Sequence, residues 1–223
     1  MDHGAEVGPS QASDPIDQVR TILRRSAAMG FLGGMSIEDQ VVHALGFQAA
    51  VEHVLGRPPT SVVDLGTGGG LPGLVLVAVW PTTRVVLLDA SERRTDFLHQ
   101  EVEQWGRADR VSVIRGRAEE VERSAQLAAG TEVVVARSFG SPAVTAECSA
   151  PLLELGGLVA VSEPPETDSF DRWPETGLAM VGLERLASYR YLDRFGYQLL
   201  KKSSPTPDRY PRRVGIPTKR PLF

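Results

Sequence analysis

Residues 62–73 read VVDLGTGGGLPG. Asp64 closes an apolar run rich in β-branched residues, and Gly66, Gly68, Gly70 and Gly73 follow at short intervals. Glycine adopts left-handed dihedrals and lets a ligand approach the main chain closely. Between a strand and a helix, such a loop aims free N–H groups at a polar ligand. Gly68, Gly70 and Gly73 satisfy G-x-G-x-x-G, which fits a dinucleotide. Two details favour S-adenosylmethionine instead. Asp64 suits the cationic end of a zwitterion and would sit badly beside a pyrophosphate. Pro72 removes a main-chain donor that a pyrophosphate would use. Asp89, which ends the run VVLLD, is placed to accept both hydroxyls of an adenosine ribose, a contact that serves either ligand. Ser91 is at hand to cap the next helix, which leaves Asp89 for the ligand.

Further along, VIRGRAEEV (113–121) sets Ala118 and Glu119 just past a strand-like run, where an adenine ring lies in a doubly wound sheet; on these residues alone a solvated helix start, with acids in the first turn complementing the helix dipole, is the stronger reading. VVVARSF (133–139) delivers Arg137 and Ser138 to the same rim. An arginine leaving a β-branched run is costly unless it meets an anion, which draws Arg137 into the site. No nucleophile–base–acid set appears. Cys148 falls inside a helical pattern and reads as core. His3, His43, His53 and His99 are scattered, and with one cysteine no metal set emerges. That single cysteine also excludes an internal disulfide framework and fits a reducing compartment, with the cytoplasm as the expectation.

These residues need elements to hold them. Apolar runs at 61–65, 84–88, 111–115, 132–136 and 158–162 alternate with helical patterns at 71–79, 93–105, 117–127 and 142–153. Strand–helix alternation predicts a parallel sheet covered on both faces, with ligands at the carboxyl ends of its strands. Residues 183–192 and 196–202 predict a closing antiparallel pair at the sheet's edge. Ahead of this core, periodicity predicts a helix from Pro15 behind an Asp14 cap and another from Ser36 to about Leu55. The expected division is a disordered 1–14, a helical region 15–56, a core 57–202 and a basic tail 203–223. No apolar run approaches a membrane span, and the first residues lack a secretory signal.

The chain has 223 residues and a net charge of −4, which argues against general coating of nucleic acid. Its distribution is uneven. Residues 201–223 hold seven basic side chains against Asp208, a net of +6, which leaves −10 on the rest. Such a segment reads as an anion-binding tail, the alternative being a solvated terminus.

Together these segments resemble the RsmG/GidB methyltransferases, which methylate guanine N7 in small-subunit ribosomal RNA. Asp64 to Gly73 meets that family's D-[VL]-G-[TS]-G-x-G-[LF]-P-G motif throughout. LLDASERRTDFL (87–98), RGRAEEV (115–121) and VARSF (135–139) resemble its second, third and fourth segments. PDRYPRRVGIPTKRPL (207–222) resembles its ending, which general methyltransferases lack. The resemblance implies a Rossmann-like α/β fold of class I S-adenosylmethionine-dependent methyltransferases, with a mostly parallel seven-stranded sheet and helices on both faces. It implies that Gly66, Leu71, Ala118, Glu119 and Arg137 contact the cofactor, with Asp89 on the ribose. Asp64, Gly68 and Gly70 complete the cofactor loop. His43 lines up with a histidine on the family's N-terminal helix and joins Arg137 as a candidate at the reaction centre. Arg209, Arg212, Arg213, Lys219 and Arg220 would grip phosphates of ribosomal RNA or the small subunit, and Tyr210 would stack on a base.

Three departures from the family pattern stand out. Gly46 replaces the aspartate that usually follows the histidine, the N-terminal region is short, and Ser162-Glu163 replaces Lys-Gly after the fifth strand. The acidic stretch 163–171 keeps a second reading open, a divergent methyltransferase acting on another RNA or a small molecule. A dinucleotide-dependent oxidoreductase rests on the overlapping glycine pattern alone.

Overall fold

The computed structural model describes residues 14–121, 127, 130–164 and 172–223. Two helices open it, α1 (Pro15–Ala28) and α2 (Ile37–Leu55). Asp14 caps the first by accepting the Ile16 N–H at 2.9 Å, and Ser36 caps the second through the Asp39 N–H at 3.0 Å. Then follow β1 (Ser61–Leu65), α3 (Gly73–Val79), β2 (Arg84–Asp89), α4 (Glu92–Gln104), β3 (Val111–Arg115), α5 (Ala118–Val121) and β4 (Thr131–Ala136). The second half comprises α6 (Pro142–Ser149), β5 (Leu153–Glu163), α7 (Glu175–Ala179), β6 (Leu183–Tyr191), β7 (Phe195–Lys202) and α8 (Ile216–Lys219).

The strands form one seven-stranded sheet in the order β3-β2-β1-β4-β5-β7-β6. β7 alone runs against its neighbours, pairing antiparallel with β5 and β6. Helix-bearing crossovers make the rest parallel, and the closing hairpin adds the outer two strands. Strand order reverses at β1, which lies between β2 and β4. A crevice forms at such a switch point, above the carboxyl ends of the strands.

Period-two alternation divides the core. Val62, Val133, Val135, Leu158 and Ala160 face α2 and α3. Val63, Leu65, Leu88, Val134, Ala136 and Val159 face the layer that holds α6 and α7. Cysteine 148 sits in that second layer, 1 % exposed, as a small apolar side chain.

Several element ends differ from expectation. α3 starts at Gly73, because residues 69–72 are turns that deliver the glycine loop to the rim. α6 ends at Ser149, and Pro151 sits in a single 3-10 turn that leads directly into β5. β5 starts five residues early, since Gly156 (φ +86°) and Gly157 pass the strand through a register shift against β4 instead of ending it. Only Ala118–Val121 of the expected 117–127 helix is seen as helix; most of its remainder, and residues 1–13, lie outside the described residues. Among the described residues no helix is long and apolar enough to cross a membrane.

The largest revision concerns the basic tail. It lies on the core as a strap. Lys202 Nζ donates to the Ala150 carbonyl at 2.6 Å and to the Thr206 hydroxyl, and Thr206 in turn donates to the Val181 carbonyl. Tyr210 and Pro217 are buried, and the Phe223 ring occupies the space beside Gly177.

Gly46 also gains a physical reason. The Tyr197 ring from β7 lies where a Cβ at position 46 would be, and its hydroxyl donates to the His43 carbonyl at 2.6 Å. Gly46→Ala should therefore cost about 1–3 kcal/mol by overpacking, read from urea unfolding. Adding Tyr197→Leu should return part of that loss. No loss in the single variant would contradict this packing.

Candidate functional site

The crevice above β1, β2 and β4 collects residues from separate stretches of sequence. Gly66, Gly68 and Gly70 take φ values of +74°, +57° and +105°, so the loop needs glycine at each. Gly73 is required by proximity, because a Cβ there would strike Asp64 and Leu87. Asp64 is fully buried, and its Oδ2 accepts the Gly73 N–H at 2.7 Å. Burial pushes its carboxyl up to about 7, while the Thr67 hydroxyl, the Gly73 N–H and the charge of Arg137 pull the other way. An acid there is poised to ionise when a cation arrives.

Asp89 ties two loops together. Its Oδ2 accepts the Gly68 N–H at 2.9 Å and its Oδ1 the Ser91 N–H at 2.8 Å, with Arg94 at 3.5 Å. Ser91 occupies the N-cap position of α4, but its side chain makes no capping bond. Asp89 supplies the acceptor at that turn, which corrects the division of labour expected from sequence. Its backbone carbonyl also accepts the Gly116 N–H, which draws the start of α5 to the same rim.

Arg137 leaves β4 ahead of Ser138, a non-glycine residue at φ +54°. Its Nη2 donates weakly to Gln40 Oε1 at 3.4 Å, and its buried Nη1 has no partner within the described residues. Burial lowers the affinity of this guanidinium for its proton, and the negative charge of Asp64 restores part of it. Close by, His43 lies among Phe47, Phe195 and Tyr197, with ring centroids 4.9–5.7 Å away. Burial first, and Arg137 second, press its imidazole down to about 4, and its Nδ1 is buried without a partner among the described residues. His43 is therefore uncharged at neutral pH.

Between the rims of β1 and β2 and the start of α5 lies a cavity of about 140 Å³. Gly66, Asp89, Ala118 and Glu119 line it, as the motif spacing implies. Leu71 does not show its side chain there; it is buried between α-helices, so only its main chain can face a ligand. The structure adds Phe139, Val144, Cys148 and Thr218 to the walls. Phe139 and Thr218 both lie inside motifs already noted, at positions to which no role in the pocket was given. A larger cavity of about 590 Å³ lies around Lys202 and Thr206, at the other end of the sheet, away from every glycine-loop residue. Among the described residues no group of three or more His, Cys, Asp and Glu is arranged to hold a metal.

Two tail residues need correction. Tyr210 is 7 % exposed, packs into the layer beside α6 and carries the Arg209 guanidinium over its ring at 5.1 Å, which removes it from the surface where a base would stack. Arg212 donates through Nε and Nη2 to the carboxylate of Glu147, at 2.8 and 2.6 Å, and its N–H does the same at 2.8 Å. Glu147 is wholly buried, so this cation neutralises the core and is not available to phosphate. Arg209, Arg213, Lys219 and Arg220 stay exposed.

Comparison with known proteins agrees with this geometry. Residues 32–163 match the GidB family, described as rRNA small subunit methyltransferase G. The chain is 36% identical over 167 residues to the ribosomal RNA small subunit methyltransferase G of Carboxydothermus hydrogenoformans, covering 73% of this chain and 71% of that one. It is 34% identical over 174 residues to the protein of the same name from Rubrobacter xylanophilus, covering 74% and 66%. In fold it resembles the O-methyltransferase of Bacillus cereus in complex with SAH, with a TM-score of 0.59 at 16% identity over 88% of this chain and 94% of that one.

Proposed function

Because this chain belongs to the rRNA small subunit methyltransferase G family, we propose that it transfers a methyl group from S-adenosylmethionine to N7 of a guanine in 16S ribosomal RNA. One observation carries the cofactor part. A buried acid near its ionisation point, Asp64, and a half-buried guanidinium, Arg137, whose buried Nη1 has no partner among the described residues, stand together at the glycine loop. This pair matches the ammonium and carboxylate of a methionyl group. A diphosphate would instead bring two negative charges toward Asp64.

In this reading Asp64 faces the ammonium, Arg137 the carboxylate, and the main chain of Gly66–Leu71 the methionyl stem. Asp89 accepts from the ribose, and Ala118, Glu119 and Phe139 enclose the adenine. S-adenosylmethionine, once bound, supplies a methyl group on a sulfonium, which N7 can take with its own lone pair as the carbon–sulfur bond breaks. No residue has to remove a proton. The protein's work is alignment, exclusion of water and tolerance of a charge that moves onto the purine. An uncharged His43 beside Arg137 adds no positive charge where the purine becomes cationic. Exposed Arg209, Arg213, Lys219 and Arg220 serve as phosphate contacts on ribosomal RNA in this reading, for which the cytoplasm is the expected compartment.

Calorimetry with S-adenosylhomocysteine against NADPH separates the ligand classes, and binding of NADPH alone would reject this reading. Mass mapping of 16S ribosomal RNA from a deletion strain tests the substrate; an unchanged 7-methylguanine content would reject it. Asp89→Ala should weaken S-adenosylhomocysteine by at least about a hundredfold, the worth of about two hydrogen bonds to a charged acceptor. Arg213→Ala should reduce the salt slope of RNA binding by about one, with the melting temperature unmoved.

A further inference from the structure

Besides carrying exposed cations, the C-terminal strap crosses the molecule beside the cavity at the glycine loop. Thr218, on α8, forms part of the wall of the 140 Å³ cavity, which it shares with Gly66 and Asp89 although they are far from it in sequence. Gly215, just ahead of α8, donates its N–H to Glu119 Oε1 at 3.1 Å. Glu119 itself lines the cavity, so one carboxylate serves both the strap and the pocket. The strap's firmest anchor, Arg212 on Glu147, is fixed to α6, and Val144 and Cys148 of that helix also line the cavity.

We propose that the strap is a working wall of the cofactor site: Thr218 closes its adenine side, and the Gly215–Glu119 bond makes the strap's order depend on what the pocket holds. This inference rests on the cavity being the S-adenosylmethionine site. Its physical content is linkage. A ligand that fixes the Glu119 carboxylate and packs against Thr218 stabilises the strap conformation seen here. The strap then carries Arg213, Lys219 and Arg220 in a set position, so a bound cofactor favours the arrangement of cations that RNA would meet. By reciprocity, RNA held by those cations favours the closed pocket. A purely structural strap would keep the same order whether the cavity is empty or full.

The test uses the full chain and S-adenosylhomocysteine. Hydrogen exchange should slow at least tenfold at the amides of residues 214–216 and 218–220 when the ligand saturates the protein. Thr218→Trp, at an exposed position, should leave the melting temperature of the ligand-free protein unchanged and weaken S-adenosylhomocysteine at least tenfold in calorimetry. Thr218→Ser should bind as the parent does. Ligand binding to the parent with unaltered strap exchange overturns the proposal, as does full affinity in Thr218→Trp. Absence of any binding heat in the parent is a separate result, which overturns the cofactor reading and this inference with it.

Discussion

Arg212→Ala should destabilise the fold by about 3–5 kcal/mol, the cost of leaving a buried charge without its partner. Glu147 has no exposed surface, and Arg212 satisfies it through two side-chain contacts and one main-chain contact. The variant loses both guanidinium donors and keeps only the N–H. The anion must then take up a proton or draw in water, and either route disturbs α6 and the strap. Chemical denaturation of the two proteins reads the difference directly. Glu147→Gln in the Arg212→Ala background should recover a large share, because a neutral amide needs no counter-charge. A variant as stable as the parent would show that this ion pair does not hold the strap, and that burial of Tyr210 and Phe223 does.

Asp64 governs the second large effect, and its sign depends on pH. Its folded-state value of about 7 lies well above the 3.8 of an unperturbed aspartate. A raised acid favours folding fully below the unfolded value and loses that contribution as pH climbs through the folded one. The ligand-free protein should thus lose on the order of 4 kcal/mol from this group between about pH 4 and pH 7. Asp64→Asn should flatten that decline and be the more stable form at pH 8. Cofactor binding runs the opposite way. Affinity for S-adenosylhomocysteine should rise with pH as Asp64 ionises, then fall at higher pH once the ligand's ammonium deprotonates. In Asp64→Asn the rising limb should vanish and affinity drop at least a hundredfold at pH 7.5. Titration calorimetry across pH 5–9 checks both limbs, and a pH-independent affinity in the parent would refute the pairing of Asp64 with the ammonium.

Much of the fold could be read in advance because β-branched runs at 62–63, 85–86 and 133–135 have few other ways to be buried. The glycine loop was legible for the same kind of reason: three of its positions require positive φ, and a chain pays in flexibility to keep glycine there. What failed to show was long-range pairing. Arg212 and Arg213 are neighbours of one type, yet one neutralises a core carboxylate and the other stays in solvent. Nothing in AECSAP (146–151) marks Glu147 as the partner of a residue sixty-five positions away. Tyr210 read as a stacking ring because its basic neighbours suggested RNA, but burial in the core is what an aromatic does wherever a strap can reach it. β5 was cut short for a local reason, since Gly156-Gly157 looks like a turn until β4 supplies the register shift.

The fit of the Tyr197 ring against Gly46 also bears on how such a sequence can drift. An aspartate at 46 and a tyrosine at 197 exclude each other, so a lineage moving between the two pairings must shrink position 197 before it enlarges position 46. The reverse order passes through an overpacked intermediate. Homologous sequences sorted by position 46 should therefore show a smaller residue at the equivalent of 197 wherever a side chain has replaced the glycine, a covariation across 151 residues that alignments can score.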